Sequence, residues 1–182
     1  MDKFTLHRED ALLLIIDIQE RLAPAVRNKK EVIKNTNILV ETAKTLNLPI
    51  VVTEQYPKGL GPTVEEIKEN LGDAQIFDKI LFNACTDDVM KAIETYSKRK
   101  IIITGMETHI CVFQTTRDLL NEGYQVFLVA DGVSSRTEDN YKNGLELMKE
   151  MGAIITNTET VLFDLIKKAG TPEFKALSKL IK

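Results

Sequence analysis

The sequence predicts a three-layer α/β/α sandwich around a mainly parallel sheet of about six strands. Short apolar runs alternate with segments of helical spacing along the 182-residue chain. The runs Ala11–Ile16 and Ile101–Ile103 are apolar without alternation, which is typical of parallel strands covered on both faces. No G-x-G-x-x-G and no G-x-x-x-x-G-K-[ST] occurs, so nothing positive indicates nucleotide binding. For this length, one domain over residues 1–182 is the natural expectation.

Each apolar run is followed by signals for a helix or a loop. The first half of the chain predicts, in order, the strand Ala11–Ile16, a helix from an Asn28 cap to about Leu46, the strand Pro49–Thr53, the Gly- and Pro-rich loop Glu54–Pro62, a Thr63–Glu66 capping box with a short helix, and a weak strand within Ile76–Leu81.

The second half continues the alternation of strands and helices. It predicts a helix from a Thr86 cap to Ser97, the strand Ile101–Ile103 with a tight turn at Gly105, a helix from Cys111 onward, the strand Tyr124–Ala130, a helix from Thr137 to about Met151, the strand Ala153–Thr156, a helix from a Thr158 cap to Lys168, and a short helix within Pro172–Lys182 whose Phe174, Leu177 and Leu180 dock on the core or on another subunit.

Composition narrows the classes of function. The net charge of -3 and the lack of a dense basic run argue against a broad nucleic-acid surface. Cys85 and Cys111 have no metal-ligand spacing and form no disulfide framework. The first residues lack the regions of a signal peptide, and the longest apolar run, Ala11–Ile16, is too short to span a bilayer. We therefore expect a cytoplasmic protein with reduced thiols and without membrane or nucleic-acid partners.

Two charged residues stand next to apolar segments. Asp17 follows a buried strand, where an acid is costly unless it is paired, and it faces the edge at which α/β sheets bind ligands. An Asp that only caps the next loop is the alternative. Lys79 lies between the apolar pairs Ile76-Phe77 and Ile80-Leu81, which favours burial and then requires an acidic partner. Most lysines are instead solvated surface charges.

Cys111 is predicted at the N-terminal end of a helix that follows a buried strand. Free backbone amides and the helix dipole favour a thiolate at such a position. A small buried core cysteine is the alternative.

Together these segments resemble the isochorismatase-like cysteine hydrolase superfamily, in particular its isochorismatase-domain-containing branch. The resemblance covers about residues 8–180, implies an isochorismatase-like, Rossmann-like fold, and follows the family's motif order. It is carried by Leu14–Gln19, Thr53–Thr63, Lys79, Gly105–Val112 and Ala130–Arg136.

The resemblance implies roles for individual residues. The Asp-Lys-Cys triad of the family corresponds to Asp17, Lys79 and Cys111. The backbone amides of Glu107 and Cys111 correspond to the oxyanion hole, and the Met106–Glu107 bond to the family's cis peptide. Members are commonly oligomeric, so the resemblance also implies a homo-oligomer, at least a dimer.

The chain departs from its relatives at two places. The branch commonly has Phe-Ser two positions after its lysine, whereas here Asn83 and Ala84 follow Phe82. The related nicotinamidases bind a metal through an Asp and two His in the region after the second strand, which here contains no histidine. The only histidines are His7 and His109. We therefore expect no metal and no cofactor.

These residues suggest a reaction. A thiol needs a base or a lowered pKa to attack a carbonyl, and Asp17 can accept its proton while Lys79 stabilises the thiolate. Isochorismatases proper, which cleave a vinyl ether, lack the nucleophilic cysteine, so Cys111 favours the amide-cleaving members. We expect a hydrolase that cleaves the C–N bond of a small molecule through an acyl-enzyme. The candidate substrate-binding residues are Gln19, Gln55, Tyr56 and Phe82.

Other interpretations stay open from the sequence. Glu107 and His109 could line the pocket or a subunit contact. An isochorismatase-type ether hydrolase, an ester hydrolase, or a non-catalytic binding protein on the same fold is compatible with the same residues, because fold does not determine function.

Overall fold

The computed structural model describes residues 2–181, and Met1 and Lys182 lie outside the described part of the chain. Within it, six parallel strands form one sheet in the order β3-β2-β1-β4-β5-β6. This confirms the predicted fold class. The strands are β1 (Ala11–Ile16), β2 (Ile50–Gln55), β3 (Gln75–Lys79), β4 (Lys100–Met106), β5 (Gln125–Ser134) and β6 (Ile154–Thr156).

Helices cover both faces of the sheet. Cluster residues of α1, α3, α7 and α8 pack on one face, and those of α4, α5 and α6 pack on the other. The helices are α1 (Lys29–Leu46), α2 (Pro57–Leu60), α3 (Glu65–Lys68), α4 (Asp87–Tyr96), α5 (Phe113–Asn121), α6 (Glu138–Glu150), α7 (Thr158–Ile166) and α8 (Pro172–Leu177).

The central strands β1 and β4 bring the ends of two sequence motifs together. Ile16, at the end of β1, lies opposite Gly105 of β4. The predicted tight turn at Gly105 is wrong, because β4 continues through it to Met106. Gly105 has φ +147°, and a Cβ there would lie 2.3 Å from the Ile16 carbonyl oxygen. Glycine thus allows β4 to approach β1 where the polar residues begin.

Three predicted N-terminal caps of the first half of the chain, at Asn28, Thr63 and Thr86, make no side-chain capping hydrogen bond, although Thr86 does occupy the N-cap position of α4. Asn28 precedes α1 in the left-handed conformation, φ 52°, and its side chain makes no capping hydrogen bond. Thr63 forms no capping box with Glu66. Its backbone N–H and hydroxyl donate to Glu54 Oε1 at 2.6 and 2.7 Å, because that buried carboxylate needs partners. Asn28 still occupies the N-cap position of α1, where its carbonyl accepts from the Val32 backbone N–H at 3.1 Å, whereas Thr63 serves the loop and not a helix end.

Of the two later predicted caps, Thr137 is confirmed and Thr158 is wrong. Thr137 does cap α6, accepting a hydrogen bond from the Asn140 backbone. For α7 the cap is Asn157, not Thr158, and the helix ends at Ile166 before the predicted Lys168. The Thr158 hydroxyl donates to Asp131 at 2.9 Å instead, so a tertiary partner outweighs the local signal.

The C-terminal segment docks within its own chain. Leu177 of α8 is 2% exposed and belongs to the core cluster on the α1 face, and Leu180 packs against that cluster. Phe174 lies beside Phe163 of α7, with ring centroids 6.4 Å apart. These contacts use the apolar face that the sequence offered either to the core or to another subunit.

Among residues 2–181, no helix combines the length and the apolarity that crossing a membrane requires.

Candidate active site

Asp17 directly follows the central strand β1 and has an unusual backbone conformation. Its φ is 53°, in the left-handed region that Asp tolerates better than most residues. The Asp17 backbone N–H donates to the Thr53 carbonyl at 3.1 Å, and the Thr53 hydroxyl donates to Oδ1 at 2.8 Å. The side chain of Asp17 is fully buried. Residues from β1 and β2 therefore fix this carboxylate at the carboxyl edge of the sheet.

Lys79, the last residue of β3, supplies the opposing charge. Its Nζ donates to Asp17 Oδ2 at 2.6 Å, and both side chains are 0% exposed. The ammonium also donates to Gln55 Oε1 at 2.7 Å and to the carbonyls of Phe82 and Leu81 at 3.0 and 3.2 Å. Four oxygens thus surround a group with three protons, so the position of Lys79 is strongly determined.

Burial and charge act in opposite directions on Asp17. Burial raises the pKa of its carboxyl group above the ordinary value of 3.8, and this effect exceeds the lowering by Lys79 and by the Thr53 hydroxyl. A carboxyl group whose pKa is raised is a better proton acceptor than an ordinary aspartate.

Cys111 lies in a π-helical turn, Thr108–Val112, that leads directly into α5. The residue is 5% exposed, and its thiol interacts with the Asp17 carboxylate. The structure therefore brings Asp17, Lys79 and Cys111 together at one edge of the sheet. This proximity follows from the parallel pairing of β1 with β4, of β1 with β2 and of β2 with β3, whose carboxyl ends meet at one edge.

The expected thiolate at Cys111 is wrong. Burial, followed by the negative charge of Asp17, raises the pKa of the Cys111 thiol to about 12, and Lys79 only partly opposes this. The helix start lowers the pKa of exposed thiols, but here the loss of hydration is the larger effect. Cys111 is a neutral thiol beside a base.

Glu107 connects the cysteine turn to the segment after β5. The Met106–Glu107 peptide bond is cis, and the Glu107 backbone amide is close enough to the Cys111 sulfur to lower the thiol pKa. The buried Glu107 side chain accepts from the backbone N–H and from Nε of Arg136, at 3.0 and 3.1 Å. Both bonds reach one oxygen, Oε2, and hold the residue whose amide faces the sulfur.

Two neighbouring contacts strengthen the same connection. Ser134 of β5 lies opposite Met106 of β4 in the sheet. The Ser135 hydroxyl lies 2.9 Å from His109 Nδ1. Burial lowers the pKa of His109, which favours the neutral ring. The segment Ser134–Arg136 therefore braces the cysteine turn from the side of β5.

The four predicted substrate-binding residues divide into two pairs. Gln19 is fully buried, and its amide donates to the carbonyls of Gln55 and Gly61 at 3.0 and 2.7 Å. Gln55 accepts from Lys79 and donates to the Ile80 carbonyl. These bonds give both glutamines a bracing role. Their contact with substrate stays a prediction.

Tyr56 and Phe82 form the other pair. Their side chains are exposed, at 54% and 56%, and belong to segments that flank Lys79. Substrate contact by these two residues also stays a prediction.

Sequence reasoning assigned no role to Thr53 or Arg136. Thr53 had a usable signal, because it is a polar residue near the carboxyl end of a buried strand, as Asp17 is. Arg136 lay inside a quoted motif, but nothing local indicated that it reaches Glu107 across 29 residues.

No group of three His, Cys, Asp or Glu side chains suited to a metal occurs within residues 2–181.

Comparison with known proteins identifies the family. The model of the isochorismatase domain matches residues 11–160, so the chain belongs to the isochorismatase family. It is 43% identical over 177 residues to the secreted isochorismatase effector Isc1 of Phytophthora sojae, covering 94% of this chain and 84% of that protein. Because that relative is named as secreted, a cytoplasmic location stays a prediction.

Solved structures agree with the fold throughout. The MAR1 ribonuclease from Caenorhabditis elegans has a TM-score of 0.93 and 36% identity, covering 97% of this chain and 92% of its own. YcaC from Pseudomonas aeruginosa, solved with hexane-2,5-diol and covalent acrylamide, has a TM-score of 0.88 and 28% identity, covering 98% and 96%. YcaC from Escherichia coli, an octameric hydrolase of unknown specificity, has a TM-score of 0.91 and 27% identity, covering 98% and 89%.

Proposed function

We propose that this protein is a cysteine-dependent hydrolase that cleaves the amide-type C–N bond of a small molecule through a covalent acyl-enzyme. The observation that carries the proposal is a neutral, buried thiol beside a carboxylate whose pKa is raised and which a buried lysine holds in place. A nucleophile, a base and a group that orients the base within reach of one another are the usual parts of nucleophilic catalysis.

The first half-reaction is acylation. As Cys111 Sγ attacks the substrate carbonyl, Asp17 takes the thiol proton, so a free thiolate never has to accumulate. Asp17 then gives this proton to the leaving nitrogen, and ammonia or an amine departs. The hydrogen bonds of Lys79 to Asp17 and Gln55 keep the carboxylate oriented throughout.

The second half-reaction is hydrolysis of the thioester. Asp17, ionised again, takes a proton from a water molecule that attacks the acyl carbon, and Cys111 leaves with a proton from Asp17. In both halves the carbonyl oxygen becomes negative, and the backbone amides of Glu107 and Cys111 are the proposed donors to it. Loss of one such donor typically lowers the rate about 100- to 1000-fold.

The amide is preferred over the ether and ester alternatives for a chemical reason. YcaC from P. aeruginosa carries covalent acrylamide, which is both an electrophile for thiols and a small primary amide. A relative that carries this molecule covalently supports small primary amides as the substrate class to test in this chain. A homo-oligomer is also proposed, and the octameric YcaC from E. coli supports it.

A panel of small primary amides, scored by released ammonia, tests the proposal. We expect turnover that Cys111→Ala abolishes and that Cys85→Ala retains. Cys85 is a matched control, because burial raises the pKa of its thiol to about 12 as well. Arms with an isochorismate-type vinyl ether, an ester and RNA test the alternatives. Turnover in any arm that survives Cys111→Ala, or amide turnover equal in both variants, would overturn the cysteine mechanism.

Acrylamide gives a second measurement that does not require the natural substrate. We expect one adduct by intact-protein mass, located at Cys111, and slower adduct formation in Asp17→Asn because the base is lost. Adducts at equal rates on Cys85 and Cys111 would contradict the assigned role of Asp17.

A further inference from the structure

Thr115 of α5 is a buried residue that has no part in the reaction described above. It is 0% exposed and lies four residues after Cys111. Its hydroxyl donates to the Cys111 carbonyl at 2.6 Å and accepts from the Ala84 backbone N–H at 2.9 Å. A single hydroxyl therefore joins the cysteine turn to the segment that follows β3.

The segment after β3 holds Lys79 with its backbone. We name residues 80–85 the lysine loop. The Leu81 and Phe82 carbonyls of this loop accept from Lys79 Nζ at 3.2 and 3.0 Å, and they are two of the four oxygens around that ammonium. A shift of the lysine loop would therefore displace the ammonium that orients Asp17, or would remove two of its acceptors.

The other half of the lysine loop is fixed to α5. The Asn83 side chain donates to Asp118 at 2.5 Å and accepts from the Cys85 backbone N–H at 2.9 Å. The Cys85 thiol donates to the Thr115 carbonyl at 3.7 Å. Ala84 lies between these contacts and is 0% exposed, so the Thr115 hydroxyl is the partner that its buried N–H requires.

Two other buried threonines differ from Thr115 in their hydrogen bonds. Thr116, the next residue, is also 0% exposed, and its hydroxyl has no partner within residues 2–181. Thr42 of α1 donates to the Ile38 carbonyl at 2.7 Å, four residues earlier, as Thr115 does to Cys111. That local bond is common for threonine in helices. The second bond of Thr115, which crosses to the lysine loop, is what local helix chemistry does not explain.

We propose that Thr115 is a positioning residue. By holding the lysine loop and the cysteine turn at once, it fixes the Asp17–Lys79 pair in place beside the thiol. The inference deepens the proposed function and rests on it for the role of that pair. Valine at this position would keep the shape of the side chain but would leave the Ala84 N–H buried without an acceptor, which is costly. The lysine loop would then shift, and Lys79 would shift with it.

Thr115→Val tests the proposal, and Thr116→Val is the matched control on the adjacent buried residue. We expect the rate of acrylamide adduct formation at Cys111, and kcat for amide turnover, to fall about 10- to 100-fold in Thr115→Val, because small misplacements of catalytic groups are costly. Thr116→Val should keep both rates, since it removes a hydroxyl without a partner. Thr42→Val controls for the loss of a local helix bond and should also keep both rates. Equal adduct rates in all three variants would overturn the proposal.

The pH profile of adduct formation is a readout that a merely structural role would not change. Lys79 lowers the pKa of Asp17, against the larger raising effect of burial. If Lys79 shifts in Thr115→Val, Asp17 loses part of this opposing charge, so the acid limb should move to higher pH. In Thr116→Val and Thr42→Val the limb should stay at its wild-type position. An acid limb that does not move in Thr115→Val would overturn the proposal.

A pair of smaller substitutions covers the case in which Thr115→Val fails to fold. Thr115→Ser and Thr115→Ala differ by one hydroxyl, and alanine is well tolerated in helices. We expect Thr115→Ser to form the Cys111 adduct at close to the wild-type rate and Thr115→Ala to be slower. Equal rates in these two variants would overturn the proposal.

The adduct rate separates this inference from the proposed function. If the wild type cleaves no amide, but its adduct rate at Cys111 falls in Thr115→Val, the amide as substrate is wrong and the positioning role stands. If the wild type cleaves amides and Thr115→Val keeps both rates, the positioning role is wrong and the hydrolase stands.

Discussion

Two lysines of this protein are almost equally buried but differ in how far their acidic partners are exposed to solvent. Lys79 at the carboxyl edge of the sheet pairs at 2.6 Å with Asp17, and both side chains are 0% exposed. Lys100, at the start of β4 and thus at the opposite edge, is 2% exposed, but its acidic partners Asp2 and Asp10 are 71% and 34% exposed. Its shortest bond, 2.8 Å, goes to the Thr5 carbonyl.

The different exposure of their partners indicates different roles for the two buried lysines. At Lys100 the acidic partners stay hydrated, so the ion pairs cost little desolvation. The lysine holds the N-terminal segment to the start of β4. At Lys79 both charges have lost their water, an arrangement that often stabilises a protein no better than apolar residues would. The proposed reaction would account for such a pair beside a thiol, whereas a gain in stability would not.

Removal of Lys79 should have the largest effect. Lys79→Met leaves Asp17 buried without a counter-charge, so we expect a loss of about 3–5 kcal/mol in the free energy of unfolding, together with loss of amide turnover. Urea titration and ammonia release measure the two. In Asp17→Asn/Lys79→Met, stability should partly recover while turnover stays absent. A single variant as stable as the wild type would mean that the pair is not desolvated as described.

Removal of the acid alone should affect the reaction more than the fold. Asn tolerates the same positive φ as Asp, so Asp17→Asn keeps the backbone conformation. We expect a fall in kcat/KM of about 10²- to 10⁴-fold, the usual contribution of a general base.

The pH profile gives an independent check on Asp17. Because burial raises its pKa above 3.8, the acid limb of the wild-type rate should lie above that value and should vanish in any residual activity of Asp17→Asn. The raised pKa also means that Asp17 contributes stability below its ordinary pKa and loses this contribution as pH rises through the folded value. The stability of Asp17→Asn relative to the wild type should therefore increase with pH, which chemical denaturation at several pH values measures.

Loss of the hydrogen bond from Arg136 to Glu107, behind the cysteine turn, should have an intermediate effect on activity. Arg136→Ala removes the Nε bond to Glu107 but leaves the backbone bond, so we expect kcat to fall about 10- to 100-fold, because small misplacements of catalytic groups are costly. The KM should change little. Arg27→Ala is the control, since Arg27 is also half-exposed and pairs with Glu138 at 3.5 Å. Equal kcat values in the two variants would remove the positioning role.

Lys100→Met should have the smallest effect. The apolar stem is kept and the acids remain hydrated, so we expect a loss of about 1 kcal/mol in unfolding free energy and unchanged turnover. A loss of unfolding free energy as large as that expected for Lys79→Met would contradict the different roles assigned to the two lysines.

The fold could be predicted from local patterns of the sequence, whereas the grouping of Asp17, Lys79 and Cys111 was predicted only through the resemblance to the family. Buried apolar runs marked the strands, and Asp17 stood out as an acid at the end of one. Contacts between residues on different strands could not be predicted, because no local pattern near Arg136 indicates that it binds Glu107. The state of the Cys111 thiol was also beyond reach, because a helix start is visible in a sequence whereas the loss of water around a sulfur depends on packing.

The position of β1 between β2 and β4 has a consequence for synthesis of the chain. Every residue of β1 is at most 1% exposed, yet one of its two neighbours, β4, begins only at Lys100. At ordinary rates of translation, β1 leaves the ribosome roughly 5 to 15 seconds before β4 does. During that interval the nascent chain carries an unpaired apolar edge of the kind that recruits other strands. Ribosome-bound fragments that end before β4 should therefore depend on chaperones to stay dispersed, and fragments that extend beyond it should not.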